Sequence, residues 1–140
     1  MKRGEYDRSL AVARKVQANN PDHLRLLSIV GTSELQSGQV DKSIGTFERL
    51  VALDPASTRA LYALSQAYAG LGDWEKVRGV LLRLELLDPH HEGAKFQWLR
   101  VYGNTGDMDR ATALAADLQK KYPNSPQLML VLGDLASRSD

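Results

Sequence analysis

Hydrophobic residues recur along the chain with the spacing of amphipathic helices. In residues 45–55 the apolar positions follow the i, i+3, i+4, i+6 pattern, which places side chains on one face of a helix. These positions are Phe47, Leu50, Val51 and Leu53. In the Ala- and Leu-rich residues 57–71 a second stripe has the same spacing: Leu61, Leu64, Tyr68 and Leu71. Both segments are predicted helices.

Turn-forming residues separate these helices at a constant interval of 34 residues. One series consists of glycines: Gly4, Gly38, Gly72 and Gly106. The other consists of prolines: Pro21, Pro55, Pro89 and Pro123. Glycine ends a helix at low cost because it adopts positive φ, whereas proline cannot continue a helix interior. The pattern therefore predicts a repeated helix–turn–helix unit with its turn at the glycine.

The repeated unit resembles the tetratricopeptide repeat (TPR), whose signature contains a large apolar residue, Leu-Gly, Tyr, Ala, Phe and Pro. Residues 24–57 match this signature at five positions: Leu27, Val30, Gly31, Phe47 and Pro55. Residues 58–91 match at Leu61, Leu64, Tyr68, Leu81 and Pro89, and residues 92–125 match at Tyr102, Ala111 and Pro123. The resemblance covers essentially the whole chain. It implies an all-α fold, a right-handed superhelical α-solenoid of about eight helices.

Several residues depart from the signature. Glu34 replaces the tyrosine and Ser43 the alanine of residues 24–57, and Leu99 stands where the family usually has glycine. A bulky side chain at this position should hold the two helices of its unit further apart or tilt them.

The register of the repeat predicts a single TPR domain over residues 1–140. Its parts are the second helix of a partial repeat (1–23), three complete repeats (24–57, 58–91 and 92–125) and the first helix of another partial repeat (126–140). Half-repeats at both ends suggest a fragment of a longer array. The apolar last helix also predicts an exposed edge at one or both termini that promotes self-association.

Composition and charge narrow the class of function. Basic and acidic residues number 18 and 17, a balance that argues against nucleic-acid binding because phosphate neutralisation requires a basic face. Cysteine is absent, which removes disulfides and thiolate chemistry. No apolar run approaches the length of a membrane span, and MKRGEYDRSL lacks the apolar core of a signal peptide.

No catalytic or metal-binding motif is evident in the sequence. His90 and His91 are adjacent in an inter-unit segment, where a solvated turn at a helix start is the simplest interpretation. Trp74 and Trp98 lie on apolar stripes, which favours core packing over ligand stacking. The chain has no phosphate-binding glycine loop, nucleophile elbow or metalloprotease motif. We therefore expect no enzyme activity, no metal and no cofactor.

The TPR resemblance implies a concave groove, lined by the first helices, that binds an extended peptide or a helix of a partner protein. The expected groove residues are Arg25, Ser28, Thr32, Arg59, Tyr62, Gln66, Phe96, Arg100, Leu130 and Asp134. Among them, planar donors lie beside aromatic residues at Arg59, Tyr62, Phe96 and Arg100, which suits a peptide with some acidic character. The alternative is that these are simply solvated residues. The residue set by which chaperone-binding members clamp a terminal carboxylate is missing.

A second resemblance suggests another role. LAVARKVQANNPD and ALAADLQKKYPNSPQLMLVLGDLA look like the long TPR lipoproteins of bacterial exosortase (PEP-CTERM) and exopolysaccharide systems. This resemblance implies a structural spacer in cell-surface assembly or export, in the periplasm or at the outer membrane. Without this resemblance, the expected location is cytoplasmic.

Overall fold

The computed structural model describes residues 3–19 and 23–138, and all regular structure in these ranges is α-helical. The helices of the described residues are α1 (Arg3–Gln17), α2 (Leu24–Gln36), α3 (Val40–Leu53), α4 (Thr58–Leu71), α5 (Trp74–Leu87), α6 (Glu92–Thr105), α7 (Met108–Lys121) and α8 (Pro126–Arg138). Both the predicted all-α class and the predicted number of helices are confirmed.

The turn inside each helix pair lies at a glycine, as predicted. Gly38, Gly72 and Gly106 adopt φ angles of 86°, 81° and 83°, in the left-handed region that an L side chain rarely occupies. The chain can therefore reverse within a few residues while the next amides still bond back to the helix. The amide of Asp73, for example, donates to the Tyr68 carbonyl at 3.1 Å.

Side chains cap the first helix of each pair. Ser57 and Ser125 accept the backbone N–H three residues later through their hydroxyls. At the equivalent places, His23 Nδ1 accepts from Leu26 at 3.3 Å and His91 Nδ1 accepts from Ala94 at 3.1 Å. Two of the three histidines thus have a structural role at helix starts, in agreement with the sequence-based interpretation of His91.

The helices form two compact units, Met1–Pro89 and His90–Asp140. In the first unit, α1 to α5 pack in chain order, each against the next, and α2 also contacts α4. In the second unit, α6 packs against α7, and α8 packs against both. The helix pairs α2–α3, α4–α5 and α6–α7 fall within residues 24–57, 58–91 and 92–125. These repeat boundaries and the single domain remain predictions.

In the first unit, a glycine allows close packing between α2 and α3. The ring of Phe47 lies against the backbone of Gly31 and is fully buried. A Cβ atom added at Gly31 would lie 2.5 Å from Phe47 Cε1, which is closer than two carbon atoms can approach. This position therefore requires glycine, because the Phe47 ring occupies the space that any side chain would need.

In the second unit, Leu99 of α6 is fully buried. It belongs to a core cluster with residues from all three helices: Phe96, Ala111, Ala115, Leu118, Leu128 and Leu135. Fewer residues of α6 and α7 than of α2 and α3 approach each other across the helix pair. The wider spacing or tilt expected from Leu99 stays a prediction.

A buried carboxylate replaces the expected tyrosine in α2. Glu34 accepts a hydrogen bond from Arg14 of α1 at 3.0 Å and another from Thr46 of α3 at 2.5 Å. Its side chain is only 5% exposed, so these partners offset the loss of hydration. Arg14 also donates to the side chain of Gln39 at 3.1 Å. Glu34 thereby links three consecutive helices through polar contacts.

Tyrosines occupy the position of Glu34 in the two later helix pairs. The Tyr68 hydroxyl donates to Glu48 at 3.1 Å. Burial, followed by this hydrogen bond and the negative charge of Glu48, raises the pKa of Tyr68 to about 12. Tyr102 instead stacks on Trp98, with 5.5 Å between ring centroids. Trp98 is buried, as its apolar stripe predicts, whereas Trp74 is half-buried.

Candidate binding surface

An open cleft of about 550 Å³ lies between the first helices α2 and α4 of the first unit. Its lining includes three of the groove residues expected from the sequence, Arg25, Ser28 and Arg59. Apolar side chains complete much of the wall: Leu24, Ile29, Leu50, Ala60 and Ala63. The packing of α2 on α4 therefore brings charged and apolar groups from two consecutive repeats to one surface.

The two arginines determine the electrostatics of this cleft. Both are exposed, and neither has an ion pair or hydrogen bond with a described residue. Asp54 is the one acidic residue of the lining, and it makes no ion pair with either guanidinium. Each guanidinium is therefore free to bind a carboxylate in a bidentate manner. Leu24 and Ile29, both 42% exposed, supply apolar area beside the charges.

The other expected groove residues of the first unit do not line this cleft. Thr32 and Gln66 are exposed on α2 and α4, and Tyr62 is half-buried on α4. The Tyr62 carbonyl accepts a hydrogen bond from the Ser65 hydroxyl at 2.6 Å. These residues occupy the expected helices, but only Arg25, Ser28 and Arg59 come together in the cleft.

A smaller cleft of about 190 Å³ lies between α6 and α8 of the second unit. It contains three further expected residues, Arg100, Leu130 and Asp134. Arg100 donates to the side chain of Gln97 at 3.1 Å, and Gln97 is buried. This hydrogen bond restricts the Arg100 side chain. Because Arg100 and Asp134 carry opposite charges, this cleft has a mixed electrostatic character that differs from the cationic first cleft.

Phe96 corrects one expectation of the sequence analysis. Its side chain is 8% exposed and belongs to the core cluster of the second unit, with its ring centroid 6.0 Å from that of Tyr122. It therefore presents no aromatic face to a ligand. The signal was available in α6, where neighbouring apolar residues fall on several sides of the helix: Ala94, Phe96, Trp98, Leu99 and Val101. A helix that is apolar on several sides is covered on several sides.

Leu24, Ile29 and Asp54 line the first cleft but were missed by the sequence analysis. The expected groove residues all lie within first helices, whereas Asp54 belongs to the segment between α3 and α4. The two apolar residues carried a usable signal, because large aliphatic side chains flank Arg25 and Ser28 in the sequence.

Among the described residues, histidines and carboxylates do not gather into a group of three that could hold a metal ion. Within the same residues, no helix has both the length and the apolar character required to cross a membrane.

Comparison with protein families gives three matches, each to a model described as a tetratricopeptide repeat. They cover residues 1–55, 34–97 and 100–125. Together these matches extend through most of the chain and have the helix–turn–helix unit in common. A comparison with curated proteins finds no match.

Several solved structures share the fold. A tetratricopeptide repeat protein from Parabacteroides merdae superimposes with a TM-score of 0.88 at 15% identity, covering 97% of this chain and 53% of its own. A thermophilic TPR protein from Thermus thermophilus gives 0.78 at 24%, covering 94% and 73%. MamA from Desulfovibrio magneticus, from residue 41 to its end, gives 0.77 at 24%, covering 88% and 70%. The chain thus spans about half the length of the first of these proteins.

Proposed function

The chain belongs to the tetratricopeptide repeat family, and we propose that it is a non-enzymatic scaffold that binds an extended, acidic peptide segment of a partner protein. Domains of this family generally mediate protein–protein interactions and are typically non-catalytic. The function of a repeat protein therefore depends on the surface that its helices present.

The cationic cleft between α2 and α4 carries this proposal. Arg25 and Arg59 are separated by one repeat of 34 residues, so the same position of two successive first helices bears a guanidinium. Leu24, Ile29 and Ala63 add an apolar surface in the same cleft. An extended peptide has side chains on alternate sides, so acidic residues can meet the arginines while an apolar residue contacts the wall.

The cleft of the second unit supports a different kind of contact. Arg100 and Asp134 together favour a polar or zwitterionic segment over a purely acidic one. We therefore assign the selection of acidic residues to the first cleft and use Arg25 and Arg59 for the test.

The test uses fluorescein-labelled peptides of about ten residues, in which glutamate alternates with leucine, and matched peptides with glutamine in place of glutamate. Binding is measured by fluorescence anisotropy at low and high ionic strength. We expect the glutamate peptides to bind more tightly, and the double variant Arg25→Ala/Arg59→Ala to weaken this binding at least about tenfold, because two charge-assisted contacts are lost.

The matched control is Arg83→Ala/Lys120→Ala, which removes the same charge from exposed positions on second helices outside the cleft. It should change the dissociation constant by less than about twofold, since distant exposed charges are screened by salt. Equal weakening by both double variants would show non-specific attraction and contradict the proposal. Equal binding of glutamate and glutamine peptides would also contradict it.

The second candidate is a spacer segment of a longer bacterial TPR protein in cell-surface or exopolysaccharide assembly or export. It is supported by the resemblance in residues 10–22 and 113–136, and by the greater length of the Parabacteroides protein. This role requires a periplasmic or outer-membrane location. Detection of the native protein in cytosolic fractions alone, by immunoblot, would contradict it.

A further inference from the structure

The cleft between α2 and α4 contains a carboxylate as well as two guanidiniums. Asp54 lines this cleft together with Arg25 and Arg59, and its side chain is half-buried. This side chain has no hydrogen bond or ion pair with a described residue. A carboxylate that is partly withdrawn from water and has no protein partner can accept hydrogen bonds from a ligand.

Asp54 differs from the aspartates that cap helices in this chain. Asp73 and Asp107 precede α5 and α7, and their carboxylates accept the backbone N–H of Lys76 at 3.3 Å and of Arg110 at 3.4 Å. Asp54 instead follows the last residue of α3, where the helix dipole does not stabilise a negative charge. The helices therefore do not account for the charge of Asp54.

The backbone holds Asp54 in place at the cleft. Its amide donates to the Leu50 carbonyl at 3.0 Å, and its carbonyl accepts the amide of Ser57 at 3.1 Å. Arg25 and Arg59 are the second residues of α2 and α4. All three charged side chains therefore extend from ordered backbone, which lowers the entropic cost of fixing them on a ligand.

The repeat itself does not require this set of charges. Arg25 and Arg59 occupy equivalent positions, and at the same position of α6 and α8 the chain has Gly93 and Gln127. Two guanidiniums beside a carboxylate are therefore a property of this cleft, and the set points to a ligand that carries both kinds of charge.

We infer that this cleft selects a partner segment in which a basic residue lies between two acidic residues, and that Asp54 binds the basic side chain. This selectivity rests on the proposed binding of an acidic segment and adds a charge pattern to it. The arginines bind the two carboxylates, while Asp54 accepts hydrogen bonds from an ammonium or guanidinium group. Asp54 repels a third carboxylate at the same place, so an uninterrupted acidic run is disfavoured.

The size of the cleft suits such a segment. A volume of about 550 Å³ corresponds to a sphere roughly 10 Å across, which is close to the distance between the axes of packed helices. An extended peptide advances about 3.3 Å per residue, so about three residues lie within the cleft. One basic residue and its two acidic neighbours therefore fit there together.

The test uses the labelled glutamate–leucine peptides, in which each interior leucine in turn is replaced by lysine, acetyl-lysine or glutamate. Acetyl-lysine retains most of the side chain but has no charge. At one or more of these positions the wild type should bind the lysine peptide at least about threefold more tightly than the acetyl-lysine peptide, and the glutamate peptide most weakly. Attraction to the arginines alone predicts the reverse order, because lysine lowers the negative charge of the peptide.

The variant Asp54→Asn removes the charge and retains the shape of the side chain. At the positions where the wild type prefers lysine, this variant should bind the glutamate peptide most tightly of the three and the lysine peptide most weakly. It should still bind the original glutamate–leucine peptide more tightly than the glutamine peptide, since Arg25 and Arg59 are intact. Urea denaturation should give the same stability as the wild type, because the carboxylate has no partner among the described residues.

Asp88→Asn is the matched control, since Asp88 holds the same position one repeat later and does not line the cleft. It should retain the wild-type order of the peptides. Equal binding of lysine and acetyl-lysine peptides at every position would overturn the selectivity and leave the binding of acidic segments intact. A preference for lysine that persists in Asp54→Asn, or an equal gain of affinity for all peptides in this variant, would also overturn it. Loss of all glutamate-dependent binding by the wild type would overturn both the selectivity and the proposed function.

Discussion

Residues 24–57 place Gly31 on the first helix and Phe47 on the second, whereas residues 92–125 place Leu99 and Ala115 at the same two positions. Each large side chain is buried opposite a smaller residue in its own helix pair. The intermediate pair in residues 58–91 follows the same rule, with Ser65 opposite Leu81. The larger residue is therefore on the second helix in residues 24–57 and 58–91, and on the first helix in residues 92–125. A departure from the family signature at one position has to be judged together with the residue that faces it.

The two regions also differ at the position of the signature tyrosine. Glu34 in the first region depends on hydrogen bonds from α1 and α3, whereas Tyr102 in the second region stacks on Trp98 of its own helix. The hydrogen bonds of Glu34 connect three helices, but the buried carboxylate requires all of its partners to be present. The Tyr102 ring depends instead on one aromatic neighbour of its own helix and on the Arg110 guanidinium of α7, which lies 5.9 Å from the ring centroid.

The largest loss of stability is expected when the Gly31 and Phe47 pair is replaced by the residue types of the Leu99 and Ala115 pair. Phe47→Ala should lower the free energy of unfolding by about 3–5 kcal/mol because it leaves a cavity. Gly31→Leu should lower it by about 2–3 kcal/mol because its side chain overlaps the Phe47 ring. The double variant copies the Leu99 and Ala115 pair. Its loss should be smaller than the sum of the single losses by at least about 1 kcal/mol.

Urea denaturation of the four proteins in this cycle measures the coupling between the two positions. Additive losses would mean that Gly31 and Phe47 act independently. The claim that the sizes of the two facing residues are matched would then be wrong.

A smaller loss of stability is expected when the contact between Arg14 and Glu34 is removed. Arg14→Ala leaves the buried Glu34 carboxylate with fewer partners and should lower the free energy of unfolding by about 1–3 kcal/mol. Arg83→Ala is the matched control, since Arg83 is an exposed arginine of α5. The variant should lose less than about 0.5 kcal/mol, as is usual for a surface substitution. Equal losses in denaturant titrations would show that the burial of Glu34 has no consequence for stability.

The smallest effect at neutral pH is expected at Tyr68, where the intermediate repeat combines a tyrosine with a carboxylate partner. Tyr68→Phe removes one hydrogen bond and should lower the free energy of unfolding by about 1 kcal/mol at pH 7. Folding raises the pKa of Tyr68 from about 10 to about 12, so the folded state retains its proton more strongly. The stabilisation should be complete below about pH 10 and lost as the pH rises to about 12.

Wild-type and Tyr68→Phe proteins should therefore be compared by urea denaturation at several pH values in this range. The stability of the variant should decrease less steeply with pH. Identical slopes would mean that Tyr68 does not contribute to the alkaline loss of stability.

The sequence was sufficient to predict the helices and turns because those depend on local chemistry. The constant spacing of glycines and prolines determines where a helix ends, and Gly38, Gly72 and Gly106 adopt the expected positive φ. The packing between helices is harder to predict from the sequence. The position of Phe96 on α6 places it on a helical face, but whether a neighbouring helix covers this face depends on side chains of α7 and α8.

The same limit applies to the candidate site. Arg25, Ser28 and Arg59 were predictable because they occupy repeated positions of first helices. Asp54 was not, because it reaches the cleft from the segment between α3 and α4, where no helical periodicity applies. Leu24 and Ile29 flank the predicted residues Arg25 and Ser28 in the sequence, but the 34-residue period alone does not predict that these two aliphatic side chains stay exposed.

Among the described residues, each helix contacts only its neighbours, or the next helix but one, within its unit. Few pairings therefore have to form between distant parts of the chain, and a low contact order of this kind favours rapid folding. Stability becomes approximately a sum of helix contributions and nearest-neighbour contributions. A substitution in one helix should consequently weaken the contacts of its nearest neighbours first and those of distant helices little. Hydrogen exchange of a destabilised variant should therefore show lost protection in adjacent helices of the same unit, while the remaining helices keep theirs.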